Sequence, residues 1–337
     1  MKESIITYFC CPKCGGELIA ESSLSDHGEI KEGGLICANC NASFPIRNYI
    51  PRFVSDENYA ASFGFEWNRH ARTQIDKFSG TTISKERFFK VTNWSNEMKD
   101  QLILEAGCGA GRFTQVALDT GAQIFSFDYS NSVDANLQNN EITEKLHIFQ
   151  ASIYDIPLKH EAFDRVFCFG VLQHTPDVKK AFMSLLPYLK DGGEIVIDVY
   201  NRPWYNPIIP RYIVRWLFGP LIRKMKPDTL YEIVSKIVPV LLPVKIFLRK
   251  IPLIGRYGSF LIPVANLKGV LPLTKEQLLE WGTLDTFDML SPRYDTPQRL
   301  NNVKDWLVEA GLTDIEVKYG PNGINARGIK PVTTSSH

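Results

Sequence analysis

Two groups of residues in this chain have the types and spacing to do chemistry. The first is Leu104 to Arg112, L-E-A-G-C-G-A-G-R, where Gly107, Gly109 and Gly111 follow an apolar strand signal at Gln101 to Glu105 and precede a helix at Arg112 to Leu118. Glycines at such a turn let backbone pass close to a ligand, as in the nucleotide pockets of open α/β sheets. Seventeen residues past Gly111, Asp128 closes a second strand, Gln123 to Phe127. A carboxylate at that strand tip is placed to accept hydrogen bonds from two ribose hydroxyls. The second group is Cys11-Pro-Lys-Cys14 and Cys37-Ala-Asn-Cys40, two C-x-x-C pairs separated by 22 residues. This spacing reads as a zinc ribbon, in which two tight turns each present two thiolates and close a tetrahedral shell around a structural metal. A disulfide framework is the alternative, against which an α/β body without a signal peptide points to a reducing cytosol. Cys10 is a substitute ligand, and Cys108 and Cys168 read as buried sulfurs.

The glycine spacing discriminates between cofactors. A dinucleotide fingerprint runs G-x-G-x-x-G, and counting from Gly107 puts Arg112 at its last position, so the third glycine comes one residue early. Glu105 stands two residues before the loop, where a carboxylate would repel a pyrophosphate and attract a cationic ligand. S-adenosylmethionine, with its ammonium and sulfonium, suits that arrangement. On Glu105, Gly107, Gly109 and Gly111 the chain resembles the class I S-adenosylmethionine-dependent methyltransferases of the type 11-like kind, whose first motif is E-x-G-x-G-x-G. The resemblance extends to Asp128 and Tyr129 in S-F-D-Y-S. It also covers Asp155 in A-S-I-Y-D-I-P-L as the residue holding the adenine amino group, with Ile153 and Ile156 flanking the ring, and Phe163 to Thr175, which includes Phe169 and borders the methyl group. It implies an α/β fold: a Rossmann-like, seven-stranded, doubly wound sheet with an antiparallel last strand. The stretch Ser43 to Val54 after the second cysteine pair resembles the small zinc-ribbon proteins that activate tRNA, rRNA and release-factor methyltransferases, here fused to the enzyme it would serve.

Positioning these residues requires a regular alternation of elements. A helix is expected over Val133 to Asn140, strands over Leu146 to Gln150 and Asp164 to Phe169, a helix over Asp177 to Leu189, and a strand over Glu194 to Val199. Pro297 to Ala310 reads as a helix, and Asp314 to Tyr319 and Ile324 to Ile329 as strands joined by G-P-N-G. The expected organisation is a ribbon at 1–54, a helical lid at 55–98, a core at 99–200 and 293–330, and an insertion at 201–292. In the lid, Phe63, Phe65, Trp67, Phe78, Phe88 and Phe89 either exclude water from a sulfonium or pack on the core.

The 337-residue chain has a net charge of only +1, so the global balance predicts no polyanion partner. Charge is nonetheless uneven: Asn201 to Pro272 holds 12 Lys and Arg against Asp228 and Glu232, and half of the 20 prolines. Prolines and cations interrupt each apolar run before the ~20 residues a membrane span needs. The insertion therefore reads as a substrate cap, and as a candidate for contact with an anionic membrane surface through K-I-F-L-R-K at Lys245 to Lys250. For catalysis, His174 after the fourth strand is either a general base or a residue capping a helix or bonding backbone. Asp285, Asp288, Arg293 and Tyr294, in a polar run taken as a loop, either handle an acceptor hydroxyl or satisfy backbone donors. The sequence thus supports a cytoplasmic methyltransferase, peripheral at the inner face of a membrane. Its expected acceptor is a small molecule or a glycan- or lipid-linked one, methylated on oxygen. The alternatives are a tRNA, rRNA or protein methyltransferase, and a catalytically silent module that docks a partner.

Overall fold

The computed structural model describes residues 1–26, 28–202, 210–222, 224–251, 255, 258–259 and 261–332; Pro203, Pro207 and Pro252 of the insertion lie outside these described residues. The N-terminal part is a four-stranded antiparallel sheet in the order β1 (Leu18–Asp26), β2 (Glu29–Cys37), β3 (Ser43–Arg47) and β4 (Ile50–Pro51). Its two cysteine turns are built alike. The residue after the second cysteine, Gly15 or Asn41, has positive φ, and its N–H donates to the carbonyl of the first, Cys11 or Cys37. Glycine and asparagine are the residues that tolerate this conformation at least cost.

The lid consists of α1 (Ala61–Arg69), α2 (Asp76–Ser79) and α3 (Ile83–Thr92). The large sheet follows: β5 (Leu102–Ala106), α4 (Arg112–Leu118), β6 (Gln123–Asp128), α5 (Val133–Asn140), β7 (Leu146–Gln150), β8 (Phe163–Phe169), α6 (Val178–Met183) and β9 (Leu189–Val199). The insertion adds α7 (Pro210–Ile222), α8 (Pro227–Leu248) and α9 (Lys275–Leu290), and the chain ends with α10 (Leu300–Glu309), β10 (Thr313–Gly320) and β11 (Gly323–Ile329). Strand order is β10-β11-β9-β8-β5-β6-β7, parallel from β7 to β9, with β11 antiparallel to both β9 and β10. The chain leaves β5 toward β6 and later returns to β8 on the other side, so the carboxyl end of β5 is the switch point where such sheets bind ligands.

Two expected elements are corrected. The apolar stripe at Asp177 to Leu189 forms a helix only as far as Met183, because Pro187 sits in a short 3-10 turn and β9 already begins at Leu189. The run Thr283 to Asp295 is not a loop over its first part: Thr283 to Leu290 completes α9, which starts in a capping box between Thr274 and Gln277. That places Asp285 and Asp288 three residues apart on one helix face.

The ribbon is welded to the large sheet. Phe53 N–H donates to Gln150 O at 2.8 Å, so the chain beyond β4 continues the sheet past its edge strand β7. A second seam runs through Cys10 N–H to Pro157 O and Lys159 N–H to Tyr8 O. Arg52, buried at this junction, donates to Gln150 Oε1 at 3.0 Å and to Asp134 Oδ1 at 2.6 Å. Phe9, Leu35, Phe44 and Ile46 of the ribbon share one hydrophobic cluster with Phe125, Phe149 and Phe163 of the sheet. A separate cluster, with Leu230, Val234, Val238 and Leu242 of α8 and Phe287 of α9, holds the insertion together and is joined by Phe65 of the lid.

Candidate functional site

A cavity of about 780 Å³ opens at the carboxyl ends of β5, β6 and β8, beneath the lid and the insertion. Gly107 and Gly109 form its floor, with φ of 79° and 51°. A Cβ on Gly107 would lie 2.2 Å from Val171 Cγ2, so the position demands glycine for space as well as for backbone. Asp128 lines the same end. Its carboxylate accepts from Gly109 N–H at 3.0 Å and from the Ser130 backbone and hydroxyl at 2.8 and 2.7 Å, while burial pushes its pKa up. Tyr129, Phe169, His174 and Asp288 also line the cavity.

Four predicted site residues lie elsewhere. Glu105 is buried under the loop, where it accepts from Thr114 Oγ1 at 2.5 Å and Ser126 Oγ at 2.8 Å; burial raises its pKa to about 7 against the pull of these two donors. Gly111 is behind the loop, with φ 83° and no room for a Cβ beside Asn136. Asp155 is exposed and outside the lining, because the Ser152–Asp155 bridge closes a turn that directs it to the surface, and Ile156 is in the core. Ile153 lines the cavity in their stead.

His174, Tyr200, Asp285 and Asp288 also stand on the cavity wall. His174 Nδ1 is 3.0 Å from the Tyr294 carbonyl, which can only accept, so Nδ1 carries the hydrogen and Nε2 is the nitrogen left to take a proton. Its ring packs against Phe63 at 5.0 Å and edge-on to Tyr200 at 5.4 Å. The Tyr200 hydroxyl, 3.4 Å from Asp288 Oδ2, points toward that carboxylate. Burial and the neighbouring Asp288 raise Asp285 to about 7.

Sequence reasoning missed three wall residues, Arg87, Arg112 and Glu66. Arg87 pairs with buried Asp198 at 2.5 Å, and Arg112 donates to Ser84 Oγ and Gln74 Oε1, both at 2.8 Å, with burial lowering its pKa to about 9. Glu66 and Trp67 follow Phe63 by three and four residues on α1, so all three share a stripe facing the cavity. The available signal was a lone acid within the aromatic run F-G-F-E-W.

Of the other lid aromatics, Phe65 and Phe88 pack in hydrophobic clusters and Phe78 is exposed. The four sulfurs of Cys11, Cys14, Cys37 and Cys40 lie within 4.8 Å of one another, with closest pairs at 3.4 and 3.7 Å. Those separations are far beyond a disulfide bond and near the ~3.8 Å between sulfurs of a tetrahedral zinc site with Zn–S of about 2.3 Å. Cys10 instead donates its thiol to Leu158 O. Among the described residues, none of the ribbon lines the cavity.

Residues 104–197 match the family model for a methyltransferase domain, and residues 9–48 the model for a Trm112p-like protein. Residues 104–197 are thus a methyltransferase domain, built on the large sheet and the glycine loop, with a Trm112p-like domain in front. It is 24% identical over 155 residues to a ubiquinone biosynthesis O-methyltransferase of Rickettsia canadensis, covering 43% of this chain and 65% of that one. A protein of the same description from Haemophilus ducreyi is 25% identical, with 45% and 66% covered. The chain thus spans just under two thirds of the length of these relatives. Solved structures similar to it include an S-adenosyl-L-methionine-dependent methyltransferase of Methanococcus maripaludis, with 15% identity, 84% and 99% covered and a TM-score of 0.44. Another is a complex of the Haloferax volcanii Trm112 methyltransferase activator with a methyltransferase, with 13% identity, 82% and 99% covered and a TM-score of 0.41.

Proposed function

We propose that the chain transfers a methyl group from S-adenosylmethionine to an oxygen of a small-molecule, glycan or lipid-linked acceptor. The observation that carries this is the union, in one cavity, of a glycine floor and Asp128 with His174, Tyr200 and Asp288. S-adenosylmethionine supplies an electrophilic methyl on a sulfonium, whose leaving group is neutral and needs no acid. The residues of the chain bind and align. Gly107 and Gly109 bring backbone against the donor, Asp128 accepts from the ribose hydroxyls, and Tyr129 and Ile153 flank the adenine. Phe63, Trp67 and Phe169 keep water away, which strengthens every charge interaction inside. His174, fixed by the Tyr294 carbonyl, takes the acceptor proton on Nε2. The four cysteines hold a structural Zn²⁺ that stiffens the ribbon against β7.

The insertion gives the acceptor side a second property. On α8 the residues Leu230, Val234, Val238 and Leu242 are buried, while Ile233, Ile237, Val240, Val244 and Phe247 form an exposed apolar face. On α7, Leu217, Phe218 and Leu221 are exposed as well, and Lys224, Lys226, Lys236, Arg249 and Lys250 border these surfaces. No helix among the described residues is long and apolar enough to cross a membrane. An apolar face rimmed by cations suits peripheral contact with anionic lipid, from which a lipid-linked acceptor would reach the cavity. An RNA or protein acceptor is the second reading, favoured by the Trm112p-like domain.

Calorimetry tests the donor site. S-adenosylhomocysteine should bind the native protein and bind Asp128→Ala about 100-fold more weakly, the loss of two charge-assisted hydrogen bonds. Failure of the native protein to bind it would sink the reading. Labelled methyl incorporated into lipid and glycan fractions supports the leading acceptor class, and label confined to RNA or protein replaces it with the second.

A further inference from the structure

The acceptor end of the cavity is acidic in a way the methyl transfer does not require. Glu66 of α1 is fully buried at the cavity wall, and neither of its carboxylate oxygens has a hydrogen-bond partner. Asp285 and Asp288 of α9 line the same wall, and Asp295 contributes a further buried oxygen without a partner. Of the wall cations, Arg87 pairs with Asp198 and Arg112 donates to Ser84 and Gln74, and no cation is among the groups that act on Glu66. A buried carboxylate without a donor is among the most costly groups a fold can hold, so its presence in a ligand cavity points to a donor that arrives with the ligand. Burial first, and then the charges of Asp288 and Asp285, raise the proton affinity of Glu66.

A metal ion does not meet this description. Among the described residues only the four ribbon cysteines bring three or more potential ligand atoms within 4.8 Å of one another, so these carboxylates are too widely spread to share one ion. An ammonium group needs only one carboxylate at hydrogen-bond distance, which the unpartnered Glu66 offers, and it gains further from the negative charge of Asp285 on the same wall. Trp67, Phe63 and Tyr200 on the same walls offer ring faces that attract a cation.

We propose that Glu66, supported by the charge of Asp285, anchors a protonated amine of the acceptor, so that the substrate is an amino-alcohol or amino-sugar type of molecule. This rests on the methyltransferase reading above and narrows its substrate class. An anchored ammonium has no lone pair to attack a methyl group, so the amine serves as the handle and a hydroxyl of the same molecule is presented to His174. The amine sets the register of the acceptor, and the distance from amine to hydroxyl decides which molecules are methylated.

The test uses a matched pair of probes. Full-length protein saturated with S-adenosylhomocysteine is titrated at pH 7 with cyclohexylamine and, in parallel, with cyclohexanol. The amine should bind at least about tenfold more tightly. Glu66→Gln and Asp285→Asn should each remove that preference without changing affinity for S-adenosylhomocysteine or the alcohol, with circular dichroism confirming that each is folded. If one variant fails to fold, the other carries the result. Equal binding of the two probes, no binding of either, or a preference that survives both substitutions overturns the anchor. Failure of S-adenosylhomocysteine to bind overturns the methyltransferase reading instead, and the amine titration of the unloaded protein then still reports on the anchor.

Discussion

Two fully buried glutamates, Glu105 behind the glycine loop and Glu66 on the cavity wall, are treated oppositely. Glu105, beneath the donor loop, accepts from Thr114 and Ser126, whose hydroxyls in turn accept from Asn136 Nδ2 at 3.0 and 3.1 Å. Glu66, beneath the lid, accepts from nothing. Burial raises the pKa of both, but only Glu105 has donors that pull it back. A satisfied buried acid is a strut, whereas an unsatisfied one weakens the apo protein and can be repaired by a ligand. The donor end is therefore finished before any ligand arrives, and the acceptor end is completed by one.

The largest effect that separates the two is on stability. Glu105→Ala removes the acceptor of two buried hydroxyls and leaves a void, and should lower the free energy of unfolding by about 2–4 kcal/mol in urea titrations. Glu66→Met keeps the volume, removes a buried carboxylate without a donor, and should be neutral or stabilising by up to about 2 kcal/mol while abolishing amine binding. If both substitutions destabilise equally, Glu66 is a strut too and the contrast collapses.

The donor end was also the legible one. Arg112–Leu118, Val133–Asn140 and Leu146–Gln150 emerge with the boundaries the sequence pattern predicts, because glycine turns and apolar periodicity are local signals. Of the residues read from one motif, Ile153 lines the cavity and Asp155 does not, since a motif names a neighbourhood while the turn decides which side chain faces in. The acceptor end resisted for a different reason. Its acids come from α1 and α9, more than 200 residues apart, and only tertiary packing brings them together. Asp285 and Asp288 read as loop residues because α9 has almost no amphipathic pattern, and its cavity side mixes the two acids with Trp281, Leu284 and Met289.

A smaller effect sharpens the comparison through pH. Asp285 has a folded-state pKa of about 7 against an unfolded value near 3.8, so the folded state holds the proton more tightly. Its protonated form contributes fully below pH 4, and stability is lost as pH rises to about 7, where the deprotonation penalty reaches its full size. Allowing for solvent in the cavity, that penalty is of order 2 kcal/mol. His70 and His147, whose pKa values burial lowers, act in the opposite sense below pH 6.5, so the informative quantity is the difference between variants. Asp285→Asn should be near neutral at pH 4 and stabilising by about 2 kcal/mol at pH 8. A difference that does not change with pH would mean that the carboxyl is already solvated and needs no ligand.

The smallest expected effect lies on the surface of the same half. Lys245, within the basic stretch that suggested membrane contact, is turned inward, and its ammonium donates to the carbonyls of Ile262 and Val264 at 2.9 and 2.5 Å. It is therefore a structural cation, whereas Arg249 and Lys250 are exposed next to Val244 and Phe247. Each exposed cation near an anionic bilayer contributes about 1 kcal/mol. Arg249→Gln should then weaken binding to phosphatidylserine vesicles about fivefold at low salt, and Phe247→Ser should weaken it whatever the salt, because burial of apolar surface is not screened. Neither substitution touches the glycine loop, so affinity for S-adenosylhomocysteine should stay unchanged in both. Vesicle binding that is lost together with cofactor affinity would mean that the insertion supports the donor end as well, and the division of labour between the two halves would fail. Equal sedimentation of the native protein with and without vesicles would rule out membrane contact through the apolar face of α8.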